Sequence, residues 1–145
     1  MAALRALGQR RLTEAQLWAR LERKGYRDDE IAAAVDDCKR NGYLDDKLYA
    51  ELYVHGSGTR KALGNARLIA ALVAKGVDRE VARDAVARAS SGERQRCSDA
   101  LAALERKRPE IGYPSAARAL ERLGFPASVI YAVLRERIAP NANVV

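Results

Sequence analysis

The residues best suited to chemistry in this sequence are cations. Arg60, Lys61, Arg67, Lys75 and Arg79 follow one another closely, and Arg94, Arg106, Lys107 and Arg108 extend the series, with Arg118 and Arg122 beyond. Guanidinium and ammonium groups pair with phosphates or with acidic protein surfaces. The chain holds 26 Lys and Arg against 19 Asp and Glu, a formal charge of +7. Residues 51–98 carry 9 basic and 5 acidic residues, while residues 1–50 are nearly balanced at 10 and 9. Such a field attracts polyanions, which makes the middle of the chain the first candidate for a nucleic-acid-facing surface. The competing reading is the ordinary charged surface of solvated helices.

Other chemistries find no set of residues. His55 is the single histidine, so a histidine dyad or a two-histidine zinc site has no second member. Asp45 and Asp46 are adjacent carboxylates, but they stand where a helix begins and read as caps. Cys38 and Cys97 are too far apart for a metal-binding spacing and read as small buried residues of a reduced, cytoplasmic protein. Tyr43, Tyr49 and Tyr53 could stack on bases, yet the four-residue spacing of the last two reads as one half-buried helix face. No glycine-rich loop ends in Gly-Lys-Ser/Thr, and no zinc-protease pair occurs. The expectation is a non-enzyme without cofactor or metal. No run is long enough to cross a membrane, and Met1–Gly8 is too short and too interrupted by Arg5 to read as a signal peptide.

The elements that must position the cations form a repeat. Gly25, Gly76 and Gly124 are spaced by 51 and 48 positions. Four residues before them stand Leu21, Leu72 and Leu120, and one after stand Tyr26, Val77 and Phe125. Ten after stand Val35, Val86 and Leu134. This period belongs to helical repeat arrays. Thr13 with Gln16 forms a capping box for the helix that stops at Gly25. Asp28 is expected to cap the next helix, through about Asn41, with Ile31, Val35 and Cys38 on one face. Asp45 caps a third, with Leu48, Leu52 and Tyr49 or Tyr53 facing inward. His55-Gly56-Ser57-Gly58 is expected to break it and to leave Thr59-Arg60-Lys61 as a basic loop. Further helices run from Asn65 to Lys75, from Asp78 to about Ala89, and from a Ser90–Glu93 capping box to Lys107. Pro114 and Pro126 suit the first turns of the last two. The sum is eight helices and no strand: an all-α chain of three tandem three-helix, helix-turn-helix-like repeats forming an elongated, curved body. The repeats are expected at 1–43, 44–90 and 91–139, with a flexible tail at 140–145. The first helix of repeat one is short or missing, and residues 1–10 are its remnant or a basic arm.

Asn41-Gly-Tyr-Leu-Asp-Asp46, Tyr49-Ala50, Tyr53-Val54, Arg60-Lys-Ala-Leu-Gly64, Arg67-Leu-Ile and Lys75-Gly-Val77 occur in an order that resembles the RecX regulatory proteins, modulators of the bacterial recombinase RecA. Leu21, Lys24-Gly25-Tyr26, Ile31 and Val35 fit the same family, and the resemblance covers about residues 11–90. The sequence departs from the family at Ala62-Leu63, at Asn65 and at His55–Gly58. The resemblance implies three tandem three-helix units lodged in the groove of the RecA nucleoprotein filament, where they suppress ATP hydrolysis and strand exchange. The chain is expected to be a monomer.

Two classes of function follow. One is an inhibitory module that contacts a recombinase filament, its successive units meeting successive parts of a helical polymer. The other is a direct DNA-binding array with the second helix of each glycine-linked pair in the major groove. Asp28, Asp29 and Glu30 at the start of one such helix oppose the second reading, because they would face phosphates. A weak, salt-dependent affinity for single-stranded DNA is compatible with either class of function.

Overall fold

The computed structural model describes residues 2–89 and 92–142, and the side chains of these except at positions 9, 57–61 and 138–142. Nine α-helices and no strand are found among the described residues. They are α1 (Ala2–Gln9), α2 (Glu14–Arg23), α3 (Asp28–Arg40), α4 (Asp46–Lys61), α5 (Asn65–Ala74), α6 (Arg79–Ala87), α7 (Glu93–Lys107), α8 (Tyr113–Arg122) and α9 (Ala127–Ala142).

Local chemistry explains most of the boundaries. The Thr13 hydroxyl accepts the Gln16 N–H at 3.1 Å and the Gln16 side chain accepts the Thr13 N–H at 3.0 Å, closing a capping box. Asp45 and Asp78 cap α4 and α6 by accepting the N–H groups of Leu48 and Glu80. The helices before Gly25, Gly76 and Gly124 end because each glycine takes φ between +91° and +96°, where a side chain is penalised.

Three buried clusters lie in succession along the chain. The first joins Ala3, Ala6, Leu17, Leu21, Ile31 and Val35. The second joins Tyr49, Ala50, Val54, Leu68, Leu72 and Val86, and the third Cys97, Leu101, Leu120, Phe125, Ile130 and Leu134. Burying one such leucine contributes roughly 2–3 kcal/mol. The main helix pairings (α2 on α3, α4 and α5 on α6, α7 and α8 on α9) each stay within one cluster. The accessible surface of 9299 Å² exceeds the roughly 7,300 Å² expected of a compact monomer of this mass. Serial clusters that touch only through their ends have that consequence.

Several expectations are corrected. Residues 2–9 form α1, which buries Ala3 and Ala6 against the first cluster, so nine helices replace eight. The α3 N-cap is Arg27, whose N–H donates to Glu30 Oε1 at 3.0 Å; Asp28 is the first helical residue. Leu48 and Leu52 point outward, 40% and 43% exposed, because Tyr49, Ala50 and Val54 already fill the inner stripe of α4. The backbone of α4 continues through His55–Gly58 to Lys61, so residues 59–61 are helical rather than a loop. Neither glycine there has a positive φ, and glycine inside a helix costs only about 1 kcal/mol. The chain turns instead at Ala62, held at φ 45° while it packs against the third cluster. Gly92, not a serine, stands at the N-cap of α7; Ser90 and Ser91 lie outside the described residues. The α9 backbone runs on through Pro140 to Ala142. That proline removes one N–H from the ladder, but it stands in the last turn, where little helix remains to lose.

Both cysteines are buried and free. Burial, with a smaller contribution from Glu93, raises the Cys97 thiol to about 11. A raised pKa in the folded state means that the native form resists thiol ionisation. The associated stability is complete below the unfolded thiol's pKa, near 9, and is lost as pH rises through 11. The unfolding midpoint in urea is therefore expected to fall between pH 9 and 11, and less steeply in Cys97→Ala. An identical slope in both proteins contradicts this. Small-angle scattering is expected to give a radius of gyration clearly above the roughly 15 Å of a compact chain of this length; a value at 15 Å contradicts the serial arrangement.

Candidate protein and nucleic-acid interface

Most of the candidate cations lie around two junctions between clusters, and the junctions are built alike. At the first, the Thr13 hydroxyl donates to the Lys75 carbonyl at 2.6 Å, and the Glu14 N–H donates to Asp46 Oδ1 at 2.9 Å. At the second, the Gly64 N–H donates to the Leu123 carbonyl at 2.9 Å, and the Asn65 N–H donates to Glu93 Oε2 at 2.7 Å. Thr13 and Gly64 are the N-caps of α2 and α5; Lys75 and Leu123 are the C-caps of α5 and α8. Asp46 and Glu93 are the first residues of α4 and α7. Helix ends that lack intrahelical partners are thus completed by the neighbouring unit. The contacts are close: a Cβ on Gly76 would lie 2.3 Å from Ala15 Cβ, and one on Gly64 would lie 2.2 Å from the Gly124 carbonyl oxygen.

Sequence reasoning missed Arg96, which is 3% exposed at the second junction. Its Nε donates to the Leu63 carbonyl at 2.9 Å, and Nη2 bonds the Asn65 side-chain oxygen. Burial lowers its pKa from the ordinary arginine value, and nearby Glu93 opposes that shift. The available signal was a charged residue on the apolar stripe Cys97, Ala100, Leu101, Leu104. Asp46, at the first junction, is raised chiefly by burial, while its bond from the Glu14 N–H pulls it down.

Around this frame the cations divide. Arg67 is exposed and donates to the Arg122 carbonyl at 2.5 Å, so it ties the second junction together. Arg60 and Lys61 belong to the last turn of α4, immediately before that junction; their side chains lie outside the described residues. Arg94 is also near it, but is ion-paired with Glu136. At the first junction, Lys75 Nζ lies 5.6 Å from the Tyr53 ring centre, a cation–π contact, and exposed Arg79 opens α6 just past the glycine turn. Arg106 and Lys107 close α7, with Arg108 as its C-cap. They suit the negative end of the helix dipole, roughly 20 Å from the α7 start, so they form no single patch with Arg67 or Arg94. The structure therefore divides the predicted stripe into two junction groups and a remote third. Among the described residues no three His, Cys, Asp or Glu side chains are grouped to hold a metal, and no helix is long and apolar enough to cross a membrane.

Comparisons with known proteins agree with this construction. A model of the first three-helix domain of RecX matches residues 1–38, and one of its second three-helix domain matches residues 45–86. A Thermus thermophilus protein named regulatory protein RecX is 35% identical over 127 residues, covering 88% of this chain and 83% of that protein. One of the same name from Mycolicibacterium vanbaalenii is 35% identical over 111 residues, 77% of this chain but only 60% of that protein's length. The crystal structure of RecX from Lactobacillus salivarius superposes with a TM-score of 0.83 at 21% identity, covering 93% of this chain and 91% of that one. At that identity the likeness speaks for the fold alone.

Two glycine substitutions test the junction at Gly64 and the continuity of α4 through Gly56. Gly64→Ala places a methyl group against backbone that cannot move aside, and is expected to cost about 2 kcal/mol or more. Gly56→Ala, in open space inside α4, is expected to stabilise by about 0.5–1 kcal/mol. Thermal melts of equal midpoint would contradict both assignments.

Proposed function

This chain belongs to the RecX family, and on that footing we propose that it is a non-catalytic regulator of RecA. It binds the RecA–DNA filament and suppresses ATP hydrolysis and strand exchange in DNA repair and the SOS response. It acts in the cytoplasm as a monomer, and its contact with single-stranded DNA is weak and salt-dependent. The observation that carries this reading is the repeated junction. At both junctions an N-cap residue donates to a C-cap carbonyl, through the Thr13 hydroxyl at the first and the Gly64 N–H at the second, and both share an N–H to carboxylate bond, so successive units are offset by a similar step. A helical polymer offers equivalent surfaces at regular steps, which such an array can engage in series.

The mixed character of the surface supports a protein-and-DNA groove over bare DNA. Asp28, Asp29 and Glu30 occupy the first turn of α3, where a major-groove helix would meet base edges and phosphates. Arg60, Lys61, Arg67, Lys75 and Arg79 supply the cationic part.

Titrating the protein into RecA with single-stranded DNA is expected to lower ATP hydrolysis at amounts well below those that coat the DNA. Inhibition only at coating amounts points instead to a direct DNA-binding array without recombinase specificity. Reversing charge together at Arg60, Lys61 and Arg79 is expected to raise the half-inhibitory concentration about tenfold, or about 1.4 kcal/mol, at unchanged helicity. Arg67 is left intact in that variant because its guanidinium holds the second junction. Full inhibition by the variant removes these cations from the mechanism.

A further inference from the structure

The second helix of each glycine-linked pair turns one stripe outward, at three, four, seven and eleven residues past the glycine. Every one of these positions is exposed in all three units. In unit one they hold Asp28, Asp29, Ala32 and Asp36. In unit two they hold Arg79, Glu80, Arg83 and Ala87, and Glu80 pairs with Arg83 at 3.5 Å. Unit three has Ala127, Ser128, Tyr131 and Arg135 in the same places. The charges of the stripe are thus all acidic in unit one, mixed in unit two and purely basic in unit three.

The surroundings preserve that difference. The first turn of α9 has no acidic residue. Glu136, next to Arg135, pairs with Arg94 of α7, and Arg137 pairs with Glu105 of α7 at 2.8 Å. Arg135 itself has no ion pair among the described residues. A further cation covers the turn that leads into α9, since a Cβ on Gly124 would meet the Arg67 side chain. Tyr131 is 51% exposed, and its four-residue spacing from Arg135 puts their Cβ atoms about 5–6 Å apart. Other exposed tyrosines have acidic neighbours in the chain. Tyr26 precedes Asp28, Asp29 and Glu30, Tyr43 precedes Asp45 and Asp46, and Tyr113 follows Glu110. Those carboxylates repel a polyanion; the α9 stripe has none.

We propose that the outward stripe of α9 binds a single strand of nucleic acid, with a base stacked on Tyr131 and the neighbouring phosphate at Arg135. Ala127 and Ser128, small and uncharged, leave room for the strand to lie against the helix. Bases in a duplex keep their faces stacked on one another, so an exposed phenol ring selects unpaired ones. The inference rests on the single-stranded DNA contact proposed above and assigns part of it to unit three, in addition to the junction cations. The three units then divide the work: the acidic stripe of unit one is unfit for phosphates, and the basic stripe of unit three is fit for them.

The test titrates the whole chain, without RecA, against an end-labelled oligothymidylate of about fifteen nucleotides in about 50 mM salt. Tyr131→Ala is expected to weaken binding at least about fivefold, while Tyr131→Phe, which keeps the ring, stays within about twofold of the parent. Ser128→Glu restores the carboxylate that the sister units carry. It suits the first turn of a helix, so the fold is kept, and it is expected to weaken binding about threefold or more. Affinity for a duplex of the same length is expected to be insensitive to Tyr131→Ala. Parent-like affinity for the strand in Tyr131→Ala or in Ser128→Glu overturns the inference, and so does a parent chain that does not bind the oligomer. If those variants inhibit RecA less at unchanged affinity for the strand, the stripe is a protein contact and the inference fails. A chain that holds the strand through Tyr131 yet leaves RecA's ATP hydrolysis untouched upholds the inference and removes the regulator reading instead.

Discussion

An α-helix begins with N–H groups that its own ladder cannot pair and ends with carbonyls in the same condition. In this chain two helix starts resolve the problem on the next unit, and the whole arrangement depends on that. At the start of α2 the Glu14 N–H is paired by the carboxylate that opens α4, and the Thr13 hydroxyl satisfies the C-cap carbonyl of α5; the start of α5 is completed by the C-cap of α8 and the first carboxylate of α7. Positive helix ends therefore meet negative ones, and neither contact needs a large apolar interface. Each unit keeps its own core, and the register between units is set by directional bonds at their tips.

The junctions share this pattern but differ in support. The second adds a buried guanidinium, Arg96, which bonds the Leu63 carbonyl and the Asn65 side chain. It also adds apolar contact, since Leu123 packs against both the second and third clusters and Ala62 reaches the third. The first relies on Thr13, Glu14 and the close approach of Ala15 to Gly76. Removing Arg96 would leave polar groups without partners at the tighter junction, at a cost of roughly 1–3 kcal/mol for each group. The second junction is accordingly the more heavily bonded part of the frame that holds Arg67 and the end of α4.

Much of the fold was legible in the sequence because its signals are local. The three Leu–Gly cassettes, the Thr13–Gln16 capping box and the Asp45 and Asp78 caps each depend on residues within one turn of one another. What was illegible depends on neighbours distant in sequence. Residues 2–9 become a helix because Ala3 and Ala6 find a cluster completed by Leu21 and Ile31. Leu48 and Leu52 look like core residues by composition, but Tyr49, Ala50 and Val54 had already claimed the inner face. Two glycines in the sequence of α4 read as a break, yet the turn comes at Ala62, where packing against unit three outweighs the strain of a positive φ. The cations were identifiable as a class, but their division between two junctions and a remote helix end followed only from the placement of α7.

In the proposed RecA regulator, function resides in the fixed register between units rather than in any one side chain. This is tested most directly by loosening the second junction while each unit stays folded. Arg96→Met preserves bulk and helix propensity but removes the guanidinium that bonds Leu63 and Asn65. With helicity unchanged, this variant is predicted to require at least about tenfold more protein to suppress RecA's DNA-dependent ATP hydrolysis, about 1.4 kcal/mol in apparent affinity. Inhibition as strong as that of the parent chain, with the second junction shown by amide exchange to be opened, would contradict the account.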